Sequence, residues 1–142
     1  MYKNTQCDFS NRVAKLRRYA DKLTNSGQYN QALLVYEHAL EMCETVVGYP
    51  YPPLAGIYIC VANLNWYQFN HHYAAHYYVK AIQVWVQHLP VENAFVTNTC
   101  SHLMEMLKTM YTSTQALSVF VDLLQKVQMS SSDIEIIRSL LN

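Results

Sequence analysis

ANLNWYQFNHHYAAHYYVKAIQV, residues 62–84, carries in its second half the pattern that decides the fold. Ala74, Tyr78 and Ala81 are four and three residues apart, so a helix places their side chains on one face. The same small–large–small trio recurs 42 residues before and 42 residues after, with no insertion, as Ala32, Tyr36 and Ala39 and as Ala116, Phe120 and Leu123. Three in-phase copies of one helical pattern predict an array of helical repeats.

The composition of the 142-residue chain is that of a folded protein with little charge. Apolar residues make up 51% and charged residues 14%, whereas about 25% charged is usual. The formal net charge is zero, so no overall field favours nucleic acid or an anionic membrane. No stretch approaches the ~20 apolar residues of a membrane span, and the N-terminal MYKNTQCDFSNR has no apolar signal segment. The sequence therefore predicts neither a nucleic-acid nor a membrane partner.

The four cysteines, at positions 7, 43, 60 and 100, form no C-x-x-C pair and are too widely separated for a zinc site. Three of them fall on predicted helix faces, where a reduced thiol acts as a small core residue. We therefore expect no metal and no cofactor. Reduced cysteines predict a cytoplasmic protein, with the nucleus as the other compartment of the same redox state.

Glycine, proline and capping residues divide the chain into seven predicted helices. The first begins near Asp8 or Ser10 and packs Tyr19 inward, and the second ends at Gly48. Capping-box spacings open the last two helices, at Thr112 with Gln115 and at Ser132 with Glu135. We expect one array over residues 1–142, with helix pairs at about 8–48, 52–89 and 91–129 and a capping helix at 132–142.

The first pair resembles the tetratricopeptide repeat. In the frame of that repeat the matching residues are Leu16, Tyr19, Ala20, Leu23, Gly27, Tyr29, Ala32, Tyr36 and Ala39. The second copy departs from it at Asn65 and Phe69, where a large apolar residue and a glycine are usual. The 42-residue period is similar to the long repeats of kinesin light chains, because eight additional residues add about one turn to each of two helices. The resemblance implies an all-α right-handed solenoid of three helix pairs plus a C-terminal capping helix.

Members of this family are non-catalytic scaffolds, in which the first helix of each pair lines a concave groove that receives a peptide or a partner helix. The resemblance therefore implies an adaptor that binds a protein or peptide partner. Carried over by position, the residues that would contact this partner are Arg17, Asp21, Asn25, Ile59, Asn63, Trp66, Tyr67, Glu105, Lys108 and Thr109.

A second interpretation follows from the middle repeat, where Lys80 is the only Lys, Arg, Asp or Glu between residues 46 and 91. Aromatic residues in a segment of depleted charge are typical of interaction surfaces. They also suit internal packing of long helices, and the sequence leaves both alternatives open. The chain could thus be a constitutive subunit or homodimer whose middle repeat is buried against another chain. The aromatic residues outside the repeat consensus are Trp66, Tyr67, Tyr73, Tyr77 and Trp85.

Three further patterns have weaker implications. A basic run on the first helix faces Glu37, Glu41 and Glu44 on the second, which predicts either solvated ion pairs within the hairpin or a basic end of the groove for an acidic peptide. His72 and His76 share a helix face, but two ligands do not make a metal site. No nucleophile, phosphate-loop or metalloprotease motif is present, so no enzymatic activity is predicted. The basic run consists of Arg12, Lys15, Arg17, Arg18 and Lys22.

Overall fold

The computed structural model describes residues 2–46 and 51–141, with side chains from residue 9 to 46 and from 52 to 141. Within these ranges the regular structure is helical throughout. The seven helices are α1 Tyr2–Asn25, α2 Tyr29–Glu44, α3 Tyr51–Tyr67, α4 His71–Val86, α5 Ala94–Lys108, α6 Ser113–Lys126 and α7 Ser131–Leu141.

The helices pack as hairpins that stack in chain order. Helices α1 and α2, α3 and α4, and α5 and α6 form the three hairpins, while α2 on α3 and α4 on α5 join one hairpin to the next. Helix α7 packs on α5. One hydrophobic cluster joins the first hairpin to the second, and the other extends from the second to α7. The fold is a helical-repeat solenoid, so the predicted fold class is confirmed.

The residue trio that predicted the repeat has matching surroundings in each hairpin. Ala32, Ala74 and Ala116 are all fully buried, and their neighbours Tyr36, Tyr78 and Phe120 are at most 2% exposed. The third small position departs from the pattern, because Leu123 is half-buried while Ala39 and Ala81 are fully buried. A small residue on the second helix of each hairpin lets the partner helix approach closely, and the large neighbour fills the space beside it.

The turns inside the first two hairpins are also equivalent. Gly27, with φ +80°, donates its N–H to the carbonyl of Thr24 at 3.0 Å, and the next N–H bonds back to Leu23 at 2.9 Å. Phe69, with φ +63°, repeats this arrangement 42 residues later, with bonds of 3.0 and 2.8 Å. Phe69 thus adopts the left-handed conformation that a glycine adopts without strain. The departure from the repeat consensus changes the residue but not the backbone.

Several predicted helix boundaries were wrong. Helix α1 begins at Tyr2, well before Asp8 or Ser10, and α5 begins at Ala94 because the side chain of Asn93 caps it. Helix α7 is capped by Ser130, whose Oγ accepts the N–H of Asp133, and not by Ser132. The capping box of Thr112 and Gln115 is confirmed. The predicted stop at Gly48 lies outside the described residues.

Tyr19 was predicted to pack inward but is 55% exposed. Its counterparts Val61 and Leu103 are buried because α3 and α5 each also pack on the last helix of the preceding hairpin. Helix α1 lies at the end of the array, so this face has no neighbouring hairpin among the described residues.

Candidate partner-binding groove

The first part of the candidate groove lies between α1 and α3. Its open volume is about 690 Å³, and the lining includes Val13, Arg17, Asp21, Pro53 and Ile57. The guanidinium of Arg17 lies over Gly56, where an added Cβ would be only 2.7 Å from its Nη1. Glycine at this position therefore leaves the space that the Arg17 side chain occupies.

Two tyrosine hydroxyls hold the polar residues of this surface. The hydroxyl of Tyr36 on α2 donates to Asp21 on α1, and the hydroxyl of Tyr78 on α4 donates to Asn63 on α3. Tyr36 and Tyr78 are 42 positions apart, and so are Asp21 and Asn63, so the same bond recurs with the repeat. In the third hairpin the same positions hold Phe120 and Glu105, and no hydroxyl is present. We refer to these two interactions as the hydroxyl pairs.

The hydroxyl pairs affect both ionisation and exposure at the groove. Burial, reinforced by the hydrogen bond to Asp21, raises the pKa of Tyr36 well above its ordinary value. Burial similarly raises the pKa of Tyr78, with a smaller contribution from Tyr67. Asp21 and Asn63 remain half-buried, so each keeps a side open to the groove. Replacing Asn63 would therefore disturb the anchoring of Tyr78 as well as any partner contact.

The middle of the predicted site divides into side chains that pack inward and one that does not. Ile59 is half-buried and packs against both hydrophobic clusters. Trp66 is half-buried against the core, with its ring 4.2 Å from that of His71. Tyr67 is 59% exposed and stacks on Tyr29 of α2 at 6.0 Å. Tyr67 thus lies beside the turn of the preceding hairpin, at the edge of the groove and not in its centre.

The third part of the site is the exposed end of α5. Glu105 and Lys108 form a salt bridge of 3.6 Å, with side chains that are 75% and 40% exposed. Thr109 donates its hydroxyl to the carbonyl of Met106 at 2.6 Å, at the end of the helix. The ring of His102 contacts that of Tyr78 edge-on at 5.6 Å, which links α5 to the hydroxyl pair of the middle hairpin.

Asn25 is exposed at the end of α1. The structure brings Arg17 and Asp21 together in one groove, and it joins Asn63 to α5 through Tyr78 and His102. Asn25, Tyr67 and Thr109 lie at the helix ends instead. The sequence did not identify Gly56 and Tyr36 as supports of the groove. The role of Tyr36 could have been found from the 42-residue offset that relates the two hydroxyl pairs.

The single cation of the middle repeat has a specific environment that the sequence did not indicate. Lys80 Nζ lies 5.6 Å from the ring centre of Tyr58 and 5.8 Å from that of Tyr77. The hydroxyl of Tyr58 donates to Glu44 at 2.9 Å. Burial is the larger cause that raises the pKa of Tyr58, and this hydrogen bond adds to it. Cation–π contact and a charged acceptor therefore connect α2, α3 and α4. Tyr77 is half-buried in these contacts and Trp85 is half-buried against the same hydrophobic cluster, so both pack internally.

The basic run does not pair with the glutamates of α2. Within the chain as described, the salt bridges are Lys108–Glu105 and Arg138–Glu135, and neither joins α1 to α2. Lys15 and Lys22 instead line an open cavity of about 440 Å³ beside Tyr19. Their counterparts in α3 are the buried Ile57 and Leu64. Cations therefore replace apolar residues on the face of α1 that no other hairpin covers among the described residues.

The cysteines and histidines with described side chains form no metal-binding cluster. Burial raises the pKa of Cys100 to about 12, so its thiol stays protonated at neutral pH. Burial also raises the pKa of Cys60, although Arg17 opposes the shift. In the part of the chain with described side chains, no three His, Cys, Asp or Glu residues are close enough together to hold a metal ion. None of the helices described combines the length and apolar character needed to cross a membrane.

No protein-family model matches the chain, and no curated protein matches it either. Among solved structures it is similar to the crystal structure of BtubC (BKLC) from P. vanneervenii, with a TM-score of 0.57 and 18% sequence identity. The match covers 92% of this chain and 60% of that one. BtubC is a kinesin light chain-like protein of the tetratricopeptide-repeat type. At this identity the likeness shows the fold, which is a helical-repeat solenoid.

Proposed function

We propose that the chain is a tetratricopeptide-like, non-catalytic adaptor that binds an extended peptide or a partner helix in the groove formed by α1, α3 and α5. Its repeats comprise residues 8–48, 52–89 and 91–129, with residues 132–142 as the cap. The observation that carries the proposal is the open groove of about 690 Å³ between α1 and α3. One of its charged groups, Asp21, is held by the hydroxyl of Tyr36 before any partner binds.

Preorganisation is what makes this groove suited to binding. A side chain that is already held loses less rotamer freedom when a partner binds it, so more of the contact energy appears as affinity. Tyr36 holds Asp21, and the guanidinium of Arg17 lies against Gly56 in the space that the missing side chain leaves. The cation of Arg17 and the carboxylate of Asp21 in one groove favour a partner segment that offers both hydrogen-bond donors and acceptors, with apolar side chains for Pro52 and Pro53.

The experiment uses peptides selected by display on the full chain, with affinities measured by calorimetry. Arg17→Gln should weaken binding about tenfold or more, because charged hydrogen bonds contribute about 1.5–3 kcal/mol. Gly56→Ala should weaken binding in the same direction, because the new methyl group forces the guanidinium to move while leaving the helix intact.

A double-mutant cycle distinguishes this mechanism from general damage. If Gly56→Ala acts by displacing Arg17, it should have no further effect on affinity in the Arg17→Gln background. Leu140→Ala on α7 provides a matched control, because Leu140 is also exposed and lies on another helix. Unchanged affinity in both groove variants, together with a loss in Leu140→Ala, would contradict the proposal.

A further inference from the structure

The three turns inside the hairpins form one edge of the array. Tyr29, beside the first turn, stacks on Tyr67 of the second hairpin, and Gln68 Nε2 donates to Asn30 Oδ1. A cavity of about 270 Å³ joins the second turn to the third, and Tyr73 and Met110 are in its lining. We call the surface of residues 28–30, 67–73 and 109–113 the turn edge.

The turn edge has no formal charge. Residues 23–36, 47–79 and 109–121 contain no Lys, Arg, Asp or Glu, and these segments include all three turns. By contrast, the cations of α1 and the glutamates of α2 lie along the helices. The turn edge is thus uncharged together with all of α3, and Lys126 is the charged residue in the lining of the cavity between the second and third turns.

The same edge carries most of the exposed apolar side chains. Nine large hydrophobic residues with described side chains are exposed, and five of them lie at the turn edge. Isolated exposed apolar residues are ordinary, but a contiguous set marks an interaction surface. The five are Phe69 at 83%, Tyr73 at 65%, Tyr67 at 59%, Met110 at 38% and Tyr29 at 36%.

Phe69 is the most informative member of this set. It occupies a left-handed position, φ +63°, that its counterpart Gly27 occupies without a side chain. Few contacts within the chain offset this strain. The Phe69 ring is mostly exposed, and it contacts the ring of His71 edge-on at 6.0 Å. Residues held in strained backbone conformations cluster at binding and switch sites.

We propose that the turn edge is a self-association surface, on which a second copy of this chain packs with Phe69 at the centre of the contact. A two-fold contact sets each surface against itself, so charged residues of one sign would repel across it. The turn edge is free of this repulsion. The inference is independent of the groove, because α1 and α3 can bind a peptide whether or not the turn edge is covered.

The exposed area is sufficient for a weak dimer. At roughly 200 Å² for each aromatic side chain, and taking Met110 as similar in size, the exposed fractions of the five residues give about 550 Å² per copy, or about 1,100 Å² in total. Specific interfaces start near about 1,000 Å², and those at this lower end are transient. We therefore expect a dimer that forms in the micromolar range and dissociates on dilution.

Sedimentation of the full chain over micromolar to submillimolar concentration tests the proposal. The average mass of the wild type should rise towards that of a dimer. Phe69→Ala and Phe69→Gly should both remain monomeric, and because glycine also relieves the backbone strain, the second variant excludes misfolding as the cause. Leu140→Glu, an exposed apolar site on α7, should dimerise like the wild type.

A charge-exchange pair makes the test specific for a second copy. Tyr73→Glu and Tyr73→Lys should each be monomeric alone, because like charges meet across the contact, and a mixture of the two should form a heterodimer. A wild type that stays monomeric throughout would overturn the inference, even if the edge then binds an uncharged peptide. Dimers that persist in both Phe69 variants would also overturn it.

Discussion

Removing the hydroxyl of Tyr78 should destabilise the chain by a small amount that the structure defines. Tyr78→Phe keeps the buried ring, which is 2% exposed, and removes only the bond to Asn63. Asn63 is half-buried, so water can replace the lost donor and no polar group is stranded. The expected loss in the free energy of unfolding is about 1 kcal/mol, the usual net contribution of a neutral hydrogen bond.

The other two hairpins supply matched comparisons. Tyr36→Phe removes a bond to the carboxylate of Asp21, and bonds to charged groups contribute about 1.5–3 kcal/mol, so this variant should lose more than Tyr78→Phe. Phe120→Tyr adds the missing hydroxyl at a fully buried position. If the repeats are equivalent, the new hydroxyl reaches Glu105, and stability changes by less than about 1 kcal/mol. A hydroxyl buried without a partner would instead cost about 1–3 kcal/mol.

Urea unfolding followed by circular dichroism measures all three variants. Equal slopes against denaturant are needed, because they show that each variant unfolds the same surface. We expect the order of loss Tyr36→Phe, Tyr78→Phe, Phe120→Tyr, from largest to smallest. A Phe120→Tyr variant that loses as much as Tyr36→Phe would refute the equivalence of the three hairpins.

Three further outcomes are expected. In a titration of phenolate absorbance, the buried tyrosines should ionise only as the chain unfolds: their folded pKa values are raised, so their stabilisation is complete below the unfolded value of 10.0 and is lost as pH rises through the folded values. Burial and two nearby lysines lower the pKa of His76, so stability should fall as pH drops below 6.5, and His76→Gln should reduce this slope in acid unfolding. Gly27→Ala should lose about 1 kcal/mol in urea unfolding from backbone strain alone, because no atom lies within 4 Å of the added Cβ; no loss would contradict the left-handed turn. The tyrosines concerned are Tyr36, Tyr58 and Tyr78.

The sequence predicted the repeat because helical periodicity depends on a few local positions. Ala32 and Tyr36 recur in phase, and close packing of two helices requires this small–large order wherever the hairpin is repeated. The same period did not predict the exposure of Tyr19, since burial of that face depends on a neighbouring hairpin and not on the residue itself. The sequence of a single repeat does not show whether another hairpin covers a given face.

The details of the groove could not be read from spacing. The direction of the Tyr36 and Tyr78 hydroxyls depends on the distance between two helices, which the sequence does not encode locally. The opposed charges of α1 and α2 suggested ion pairs, but exposed ion pairs contribute little energy and do not control side-chain placement. Phe69 was recognised as a departure from the consensus, although its left-handed backbone became visible only in the structure.

The most direct test of the groove follows the isoleucine δ-methyl resonances while a display-selected peptide is added to the full chain. The chain has six isoleucines, and they report on different surfaces. Ile57 lines the groove and Ile59 lies on the same helix, α3, while Ile134, Ile136 and Ile137 lie on α7. We expect the two α3 methyl groups to shift and the three α7 methyl groups to stay in place. Shifts confined to α7 would contradict the claim that this solenoid binds polypeptides through its groove.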